Sequence, residues 1–252
     1  MATALNFVQL AATALLVGRI LVSGLSSRYR VFWFFLIFEV LRGGTIAFLN
    51  SGSNIYQKVW VLSEPVEWVL YVWVVLEIYS RVLEDYVGLA TVGKWALIVA
   101  VGVALLASGL TLTAPSQHTG QGHLMQYYYV AERAVYFSLV VFLLTILGIL
   151  MQYPITLSRN IIVHSTVFSV YFLSGTVIYL LLSARGFYLM RVVEYASLAV
   201  NLAALGAWLA LLNPAGEVRK VRLRPAWMPG REEDLVNQLN QLNAALLRAT
   251  RK

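Results

Sequence analysis

The chain has no cysteine and few charged residues, and each shortage excludes a class of protein. None of its 252 residues is cysteine, so disulfides, thiolate catalysis and cysteine-ligated metal sites are excluded. Charged residues make up 12% of the chain, against about a quarter in a typical soluble domain. Because 60% of the residues are hydrophobic and the mean hydropathy is +0.72, we expect one helical domain that folds in lipid.

The motifs that carry common enzyme chemistry are also missing. The sequence contains no H-E-x-x-H, G-x-S-x-G or P-loop motif. No lysine lies between Lys94 and Lys220, so the last predicted helix offers no Schiff-base lysine for a retinal. We therefore predict a protein without catalytic residues, metal or cofactor. The net charge of +7 does not indicate nucleic-acid binding, because eight of the 19 Lys and Arg residues lie in the last 35 positions.

Seven stretches are apolar and long enough to cross a bilayer, which takes roughly 20 helical residues. They cover residues 4–24, 31–50, 59–80, 94–113, 127–151, 160–184 and 190–212. The first has no Lys or Arg ahead of its apolar core, so we expect a retained helix rather than a secretory signal. The sequence therefore predicts an all-α, polytopic bundle of seven transmembrane helices over residues 1–213.

The basic residues of the short connections indicate the orientation of this bundle. One side holds Arg28, Arg30, Arg81, Lys94, Arg159 and the basic tail. The other side holds Lys58 and Arg185, with Arg191 at the boundary. Because cytoplasmic loops are enriched in Lys and Arg, we predict an N-terminus outside and a C-terminus in the cytoplasm. The predicted location is a bacterial inner membrane, which the chain crosses several times.

Two further segments follow the last predicted span. Residues 214–230 form a basic, proline-rich linker, and residues 231–252 read as a cytoplasmic amphipathic helix. In that tail helix, one narrow stripe is formed by Leu235, Leu239, Leu242 and Leu246. The stripe fits contact with a cytoplasmic protein partner. It fits equally a helix docked on its own bundle or on lipid, since two heptads are marginal alone.

Charged residues inside the predicted spans collect at one level of the bilayer. A rise of about 1.5 Å per residue places eight of them in its outer half. They are Glu39, Arg42, Glu64, Glu67, Glu132, Arg133, Arg191 and Glu194. Each charge at the bilayer centre costs at least about 2.5 kcal/mol, so such residues usually face the bundle interior and find partners. We expect these side chains to converge on one polar pocket, in which Arg42 and Arg133 hold Glu39 and Glu132.

The five Glu and three Arg of this set leave an excess of negative charge. Proton uptake, water, or a small polar or cationic ligand from the outer side would each compensate for it. Ion pairs that only fix helix register are an equally open alternative. The third span favours a pocket, because Glu64 and Glu67 flank Pro65 without a basic partner in that span. We expect these two carboxylates to hold the positive group of a ligand.

Four segments are distinctive enough to compare with known proteins: YRVFWFFLIFEVLRGG, VWVLSEPVEWVLYVWVVLEIYSRVLEDYVGL, AERAVYF and the tail LVNQLNQLNAALLR. They resemble segments of a group of bacterial seven-helix integral membrane proteins to which no activity is assigned. The resemblance extends over nearly the whole chain. It implies the seven-helix topology and no function.

The residues favour a non-enzymatic sensory or accessory module with a polar pocket and a cytoplasmic tail for partner contact. A transporter or transporter subunit is the first alternative. It requires polar residues through the inner half of the bundle, where the spans supply only Glu77, His164 and scattered Ser and Thr. A structural subunit of a larger membrane complex is the second alternative.

Overall fold

A computed structural model describes most of the chain. The described residues are 2–49, 53–84, 91, 93–95, 97–103, 106, 131–145, 156–185, 190–218, 220–222, 237–238, 240–241, 243–246 and 248. Their helices are α1 (Ala2–Val22), α2 (Arg30–Phe48), α3 (Asn54–Val82), α4 (Gly93–Val103), α5 (131–145), α6 (Arg159–Arg185), α7 (Met190–Leu211) and α8 (Ala215–Val218). A 3-10 turn (Leu25–Ser27) joins α1 to α2. Strands β1 (Thr156–Ser158) and β2 (Lys220–Arg222) form a two-stranded antiparallel sheet.

The described residues confirm the predicted helical class. Five helices, α1, α2, α3, α6 and α7, are long and apolar enough to cross a membrane. Their ends lie close to those predicted from hydropathy, except that α3 begins at Asn54 rather than at residue 59. The earlier start has a local cause, because the Ser53 side chain caps the helix by accepting a hydrogen bond from the Tyr56 N–H at 3.1 Å. The predicted spans 94–113 and 127–151 overlap α4 and α5 and lie partly outside the described residues.

The five long helices contact one another as a closed ring. Helix α1 contacts α2 and α7, α2 contacts α3, α3 contacts α6, and α6 contacts α7. Helix α5 joins at the junction of α3 and α6, where the Tyr136 ring lies 5.6 Å from Tyr71 and 5.5 Å from Phe172. Many large apolar side chains point outward, among them Leu15, Phe34 and Leu62. Such an exterior suits a hydrocarbon solvent rather than water.

One end of the ring, which we call the basic end, carries Arg19, Arg28, Arg30, Arg81 and Arg159. Residues after α7 fold back onto this end. Helix α8 contacts α6, and β2 pairs with β1 in a register that sets Thr156 opposite Arg222. The pairing satisfies backbone groups beside the span ends, and periodicity did not predict it.

The start of the predicted linker 214–230 is therefore ordered and docked on the bundle through α8 and β2. Residues 223–230 lie outside the described residues, as do Leu235, Leu239 and Leu242 of the predicted leucine stripe. The described residues between 237 and 248 are helical, and Leu246 is half-buried.

Candidate functional site

The helical ring encloses a cavity of about 650 Å³. This volume falls within the range of small-molecule sites, roughly 300 to 1,000 Å³. Its walls come from α1, α2, α3, α5, α6 and α7. The lining extends from Phe35 on α2 to Leu49 just after this helix, and on α3 from Tyr56 to Tyr71. At about 1.5 Å per residue, the cavity therefore follows the helix axes for about 20 Å, away from the basic end.

The guanidinium of Arg42 is the centre of the polar wall. Its Nη2 lies 2.5 Å from Glu64 Oε1 on α3, and its Nη1 pairs with Glu67 Oε2 on the same helix. The same Nη1 lies 3.5 Å from Glu39 Oε1, three residues earlier on α2. A planar guanidinium can serve several carboxylates at once, because its five N–H groups point in fixed directions. Arg42 thus joins carboxylates from two helices.

Tyrosine hydroxyls extend the polar wall from Glu67 towards α5 and α6. The Tyr71 hydroxyl donates to Glu67 Oε1 at 2.5 Å. The hydroxyl oxygens of Tyr171 and Tyr136 lie 2.8 Å and 3.4 Å from that of Tyr71. Since Tyr71 gives its only proton to Glu67, it accepts from these two neighbours. Two tyrosine hydroxyls thus donate to the Tyr71 hydroxyl, which in turn donates to the Glu67 carboxylate.

The carboxylate of Glu132 on α5 completes the wall on the far side. The Tyr179 hydroxyl on α6 donates to Glu132 Oε1 at 2.7 Å. Glu64, Glu67 and Glu132 retain only 4%, 7% and 7% of their exposure, so these three carboxyl groups face the interior and not lipid. Burial of a carboxyl group in a membrane helix is costly, and such residues usually face the bundle interior.

The structure brings together six of the eight charged residues that the sequence singled out. Glu39, Arg42, Glu64, Glu67, Glu132 and Glu194 line the cavity, the last as an exposed residue of α7. Arg133 is half-buried and Arg191 exposed, and neither is among the lining residues. The hydrogen bond described for Glu132 comes from Tyr179, and its pairing with Arg133 stays a prediction.

Counted with every carboxyl group ionised, the formal charge of the described lining is negative. Among the described lining residues, five are Glu and one, Arg42, is basic. A cavity of this composition favours positive charge, because each ionised carboxylate without a partner is costly in a low-dielectric interior. Within the described part of the chain, no group of three or more His, Cys, Asp or Glu is arranged to hold a metal ion.

Sequence reasoning missed the tyrosines of the site, although their spacing carried a signal. Tyr71 follows Glu67 by four positions, and Tyr136 follows Glu132 by four. Residues four apart share a face of a helix, so each Glu could have been paired with a tyrosine on that face. Tyr171, Gly175 and Tyr179 repeat the same spacing on α6. The sequence alone thus showed, in two spans, a glutamate followed by a tyrosine one helical turn later.

The polar groups between the cavity and the basic end have other surroundings. Both carboxylate oxygens of Glu77 accept backbone N–H groups at the start of α2, from Val31 and Phe32, each at 3.1 Å. The carboxylate therefore caps a helix whose own N-cap residue offers no side-chain cap. His164 is fully buried, with ring centroids of Tyr29 and Phe32 at 4.5 Å and 4.7 Å. Its two ring nitrogens have no hydrogen-bond partner among the described residues.

No protein-family model, curated protein or solved structure matches the chain.

Proposed function

We propose that this protein is a non-enzymatic sensory or accessory module of a bacterial inner membrane, and that its cavity binds a small cationic ligand. One observation carries the proposal. The described lining of a cavity of about 650 Å³ holds five Glu and a single Arg. A bound cation would balance carboxylates that Arg42 alone does not neutralise, whereas an anion would add to the excess.

Aromatic side chains add a second source of attraction for a cation. Tyr56 and Trp60 line the cavity beside Glu64, and Tyr171 and Tyr179 line it beside Glu67 and Glu132. The face of an aromatic ring attracts a cation by about 0.5 to 2 kcal/mol, more when the site is desolvated. Carboxylates and aromatic rings together are the usual lining of sites for organic ammonium groups.

The proposal includes the predicted topology of seven transmembrane helices, with the N-terminus outside and the C-terminus in the cytoplasm. The basic end supports this orientation, because basic residues concentrate on the cytoplasmic side of membrane proteins. The cavity then opens towards the outside, and α8 with the tail lies inside. A ligand would reach the site from the outer side.

A transporter remains the alternative, but the surroundings of the inner polar groups give it less support. A transport path has to continue from the cavity to the basic end through polar or hydrated groups. Glu77 is engaged as the cap of α2, and aromatic rings surround His164. A flux assay in proteoliposomes separates the two functions, since a binding module releases its ligand on the side from which it came.

The test measures ligand binding to the purified protein in lipid nanodiscs. We expect methylammonium and tetramethylammonium to raise the thermal midpoint, and acetate and glycerol to leave it unchanged. A ligand at about 100 times its Kd stabilises the folded state by about 2.7 kcal/mol. The double variant Glu64→Gln and Glu67→Gln should weaken cation binding at least about tenfold.

Glu84→Gln is the matched control, because Glu84 is an exposed glutamate outside the cavity that pairs with Arg28 at 3.6 Å. It should bind cations as the unmodified protein does. Equal effects of cations, anions and neutral solutes would overturn the proposal, as would equal losses in the control and the double variant.

We further propose that the tail, residues 231–252, contacts a cytoplasmic protein. The support is that the described residues of this segment are helical and that Asn237 and Gln238 are exposed. Deletion of residues 231–252 should remove a co-purified partner without changing cation binding. A partner that stays bound after the deletion would instead favour a structural subunit held through the membrane bundle.

A further inference from the structure

The cavity has two zones of different chemistry, which follow one another along the helix axes. The first zone is the acidic ring around Arg42, with Glu39, Glu64, Glu67 and Glu132. The second zone, which we call the floor, lies nearer the basic end. Its lining residues are Phe35, Leu36, Phe168, Ala204, Leu205 and Trp208. The floor contains neither a carboxylate nor a basic group among these residues.

The floor is deep enough to hold more than an ammonium group. On α2, Phe35 lies one turn below Glu39, a distance of about 6 Å along the helix. On α7, the lining continues from Asn201 to Trp208, about 10 Å along the helix. The rings at the floor pack closely on one another, with Phe168 and Trp208 centroids 4.8 Å apart. A small ammonium ion in the acidic ring would therefore not reach the side chains of the floor.

One side chain of this apolar floor carries a buried polar atom. The indole of Trp208 is only 4% exposed and lines the cavity. Its Nε1–H has no hydrogen-bond acceptor among the described residues. A buried donor without an acceptor costs about 1 to 3 kcal/mol, so a ligand that supplies an acceptor at this point gains affinity. This donor is independent of the acidic ring, and it too points to a ligand.

We propose that the ligand is an elongated organic amine, with its ammonium group in the acidic ring and an apolar body on the floor. The body ends in a hydrogen-bond acceptor, such as a hydroxyl, ether or carbonyl oxygen, that meets the Trp208 indole N–H. This inference rests on the proposed function and narrows its ligand class. It assigns the ammonium group to the carboxylates and the opposite end of the ligand to Phe35, Phe168 and Trp208.

The first part of the test uses the unmodified protein in nanodiscs and a series of primary amines. Binding of ethylamine, butylamine and hexylamine is measured by calorimetry, with butanol and hexanol as neutral controls for partition into lipid. Because a buried methylene contributes about 0.8 kcal/mol, hexylamine should bind about tenfold tighter than butylamine. The neutral alcohols should not bind to a saturable site.

The second part tests the acceptor with 6-amino-1-hexanol and the variant Trp208→Phe. The unmodified protein should bind 6-amino-1-hexanol about threefold tighter than hexylamine, as expected for one net hydrogen bond. Trp208→Phe should abolish this preference and keep the dependence on chain length. Trp33→Phe is the control, because the Trp33 indole N–H also lacks an acceptor among the described residues but Trp33 does not line the cavity.

The outcomes separate this inference from the proposed function. If amines bind but neither chain length nor the terminal hydroxyl changes their affinity, the elongated ligand is wrong and the cation site stands. If the preference for the hydroxyl survives in Trp208→Phe, the role of Trp208 is wrong. If none of the amines binds, the proposed function fails as well. The chain-length series needs no variant, so it decides the proposal even if Trp208→Phe does not fold.

Discussion

The side chain of Arg42 joins carboxylates from two helices, and its loss would leave them without a cation. It pairs with Glu39 on its own helix and with Glu64 and Glu67 on α3. Removing one member of a buried ion pair costs about 3 to 5 kcal/mol, mainly because the other charge stays buried and unpaired. Replacing all the members by neutral groups costs far less. This asymmetry allows the role of Arg42 to be measured.

We expect Arg42→Met to lower the free energy of unfolding by about 3 to 5 kcal/mol. Adding Glu64→Gln and Glu67→Gln to this variant should restore most of the loss, because two of the three carboxylates that lacked a cation are then neutral. Reversible unfolding in mixed detergent micelles measures both changes. A triple variant as unstable as Arg42→Met would show that the guanidinium stabilises the bundle by packing and not by charge.

Tyr29 gives the basic end a pH dependence that a single substitution can isolate. Tyr29 lies just before α2 begins, and its hydroxyl donates to Glu217 Oε1 at 2.6 Å. Burial, and then the hydrogen bond to the Glu217 carboxylate, raise the pKa of Tyr29 far above its ordinary value of 10.0. The folded protein therefore keeps this proton at a pH where the unfolded chain has lost it. The corresponding stability is complete below about pH 10 and is lost as the pH rises further.

Tyr29→Phe should therefore be less stable than the unmodified protein at pH 8, by about 1 kcal/mol for one lost hydrogen bond. The difference should shrink between about pH 10 and pH 11, because phenylalanine has no proton to lose. Unfolding midpoints across this range provide the measurement. A constant difference would mean that folding does not raise the pKa of the Tyr29 hydroxyl.

Contacts between helices depend on a few positions where no side chain fits. At Gly175 on α6, an added Cβ would collide with the Tyr136 ring, which lines the cavity from α5. Because α6 has a glycine at position 175, α5 can pack close enough to bring Glu132 and Tyr136 to the cavity. Gly206, in the middle of α7, has open space around the same added atom. The two glycines form a matched pair.

Gly175→Ala should destabilise the protein by about 1 to 3 kcal/mol, the usual cost of forcing an extra carbon into a packed interior. It should also weaken cation binding, because Tyr136 must move. Gly206→Ala should leave both properties nearly unchanged, or stabilise slightly through helix propensity. Unfolding midpoints and calorimetry are compared for both variants. Equal effects would show that helix propensity and not the contact with Tyr136 governs these positions.

Taken together, the described residues form a ring of helices with an apolar exterior, an acidic cavity and a basic end. The basic end is closed by the segment after α7, where Glu217 also accepts from Asn160 at 2.8 Å and lies 3.3 Å from Arg28. Arg19 on α1 donates to the Leu212 carbonyl at 2.9 Å. The first and the last long helices are thus joined at the basic end, and the described cavity lining lies away from it.

The absence of cysteine makes the predicted orientation testable with single introduced thiols. Ser51 lies in the predicted outer connection, and Ser27 lies exposed at the basic end. Each is replaced by cysteine in a separate variant. A membrane-impermeant maleimide should label Ser51→Cys in intact spheroplasts. It should label Ser27→Cys only after the membrane is permeabilised. The reverse pattern would place the cavity on the cytoplasmic side and contradict the orientation.

Length and hydropathy were enough to predict the helical class and the ends of the long helices apart from the start of α3, because these are local properties of each segment. The predicted span 160–184 differs from α6 (Arg159–Arg185) by one residue at either end. Depth along a helix is equally local, since it depends only on the rise per residue. For this reason the sequence could place Glu39, Arg42, Glu64 and Glu67 at a common level before any contact was known.

The partners of these residues were decided only by the tertiary structure. Arg42 and Glu64 are 22 positions apart, and Tyr71 and Tyr171 are 100 apart. Which faces of two helices meet depends on the packing of every side chain between them, and periodicity within one helix contains no information about the other. The same limit explains why the tyrosines, the cap that Glu77 provides for α2 and the docked segment after α7 emerged only from the folded chain.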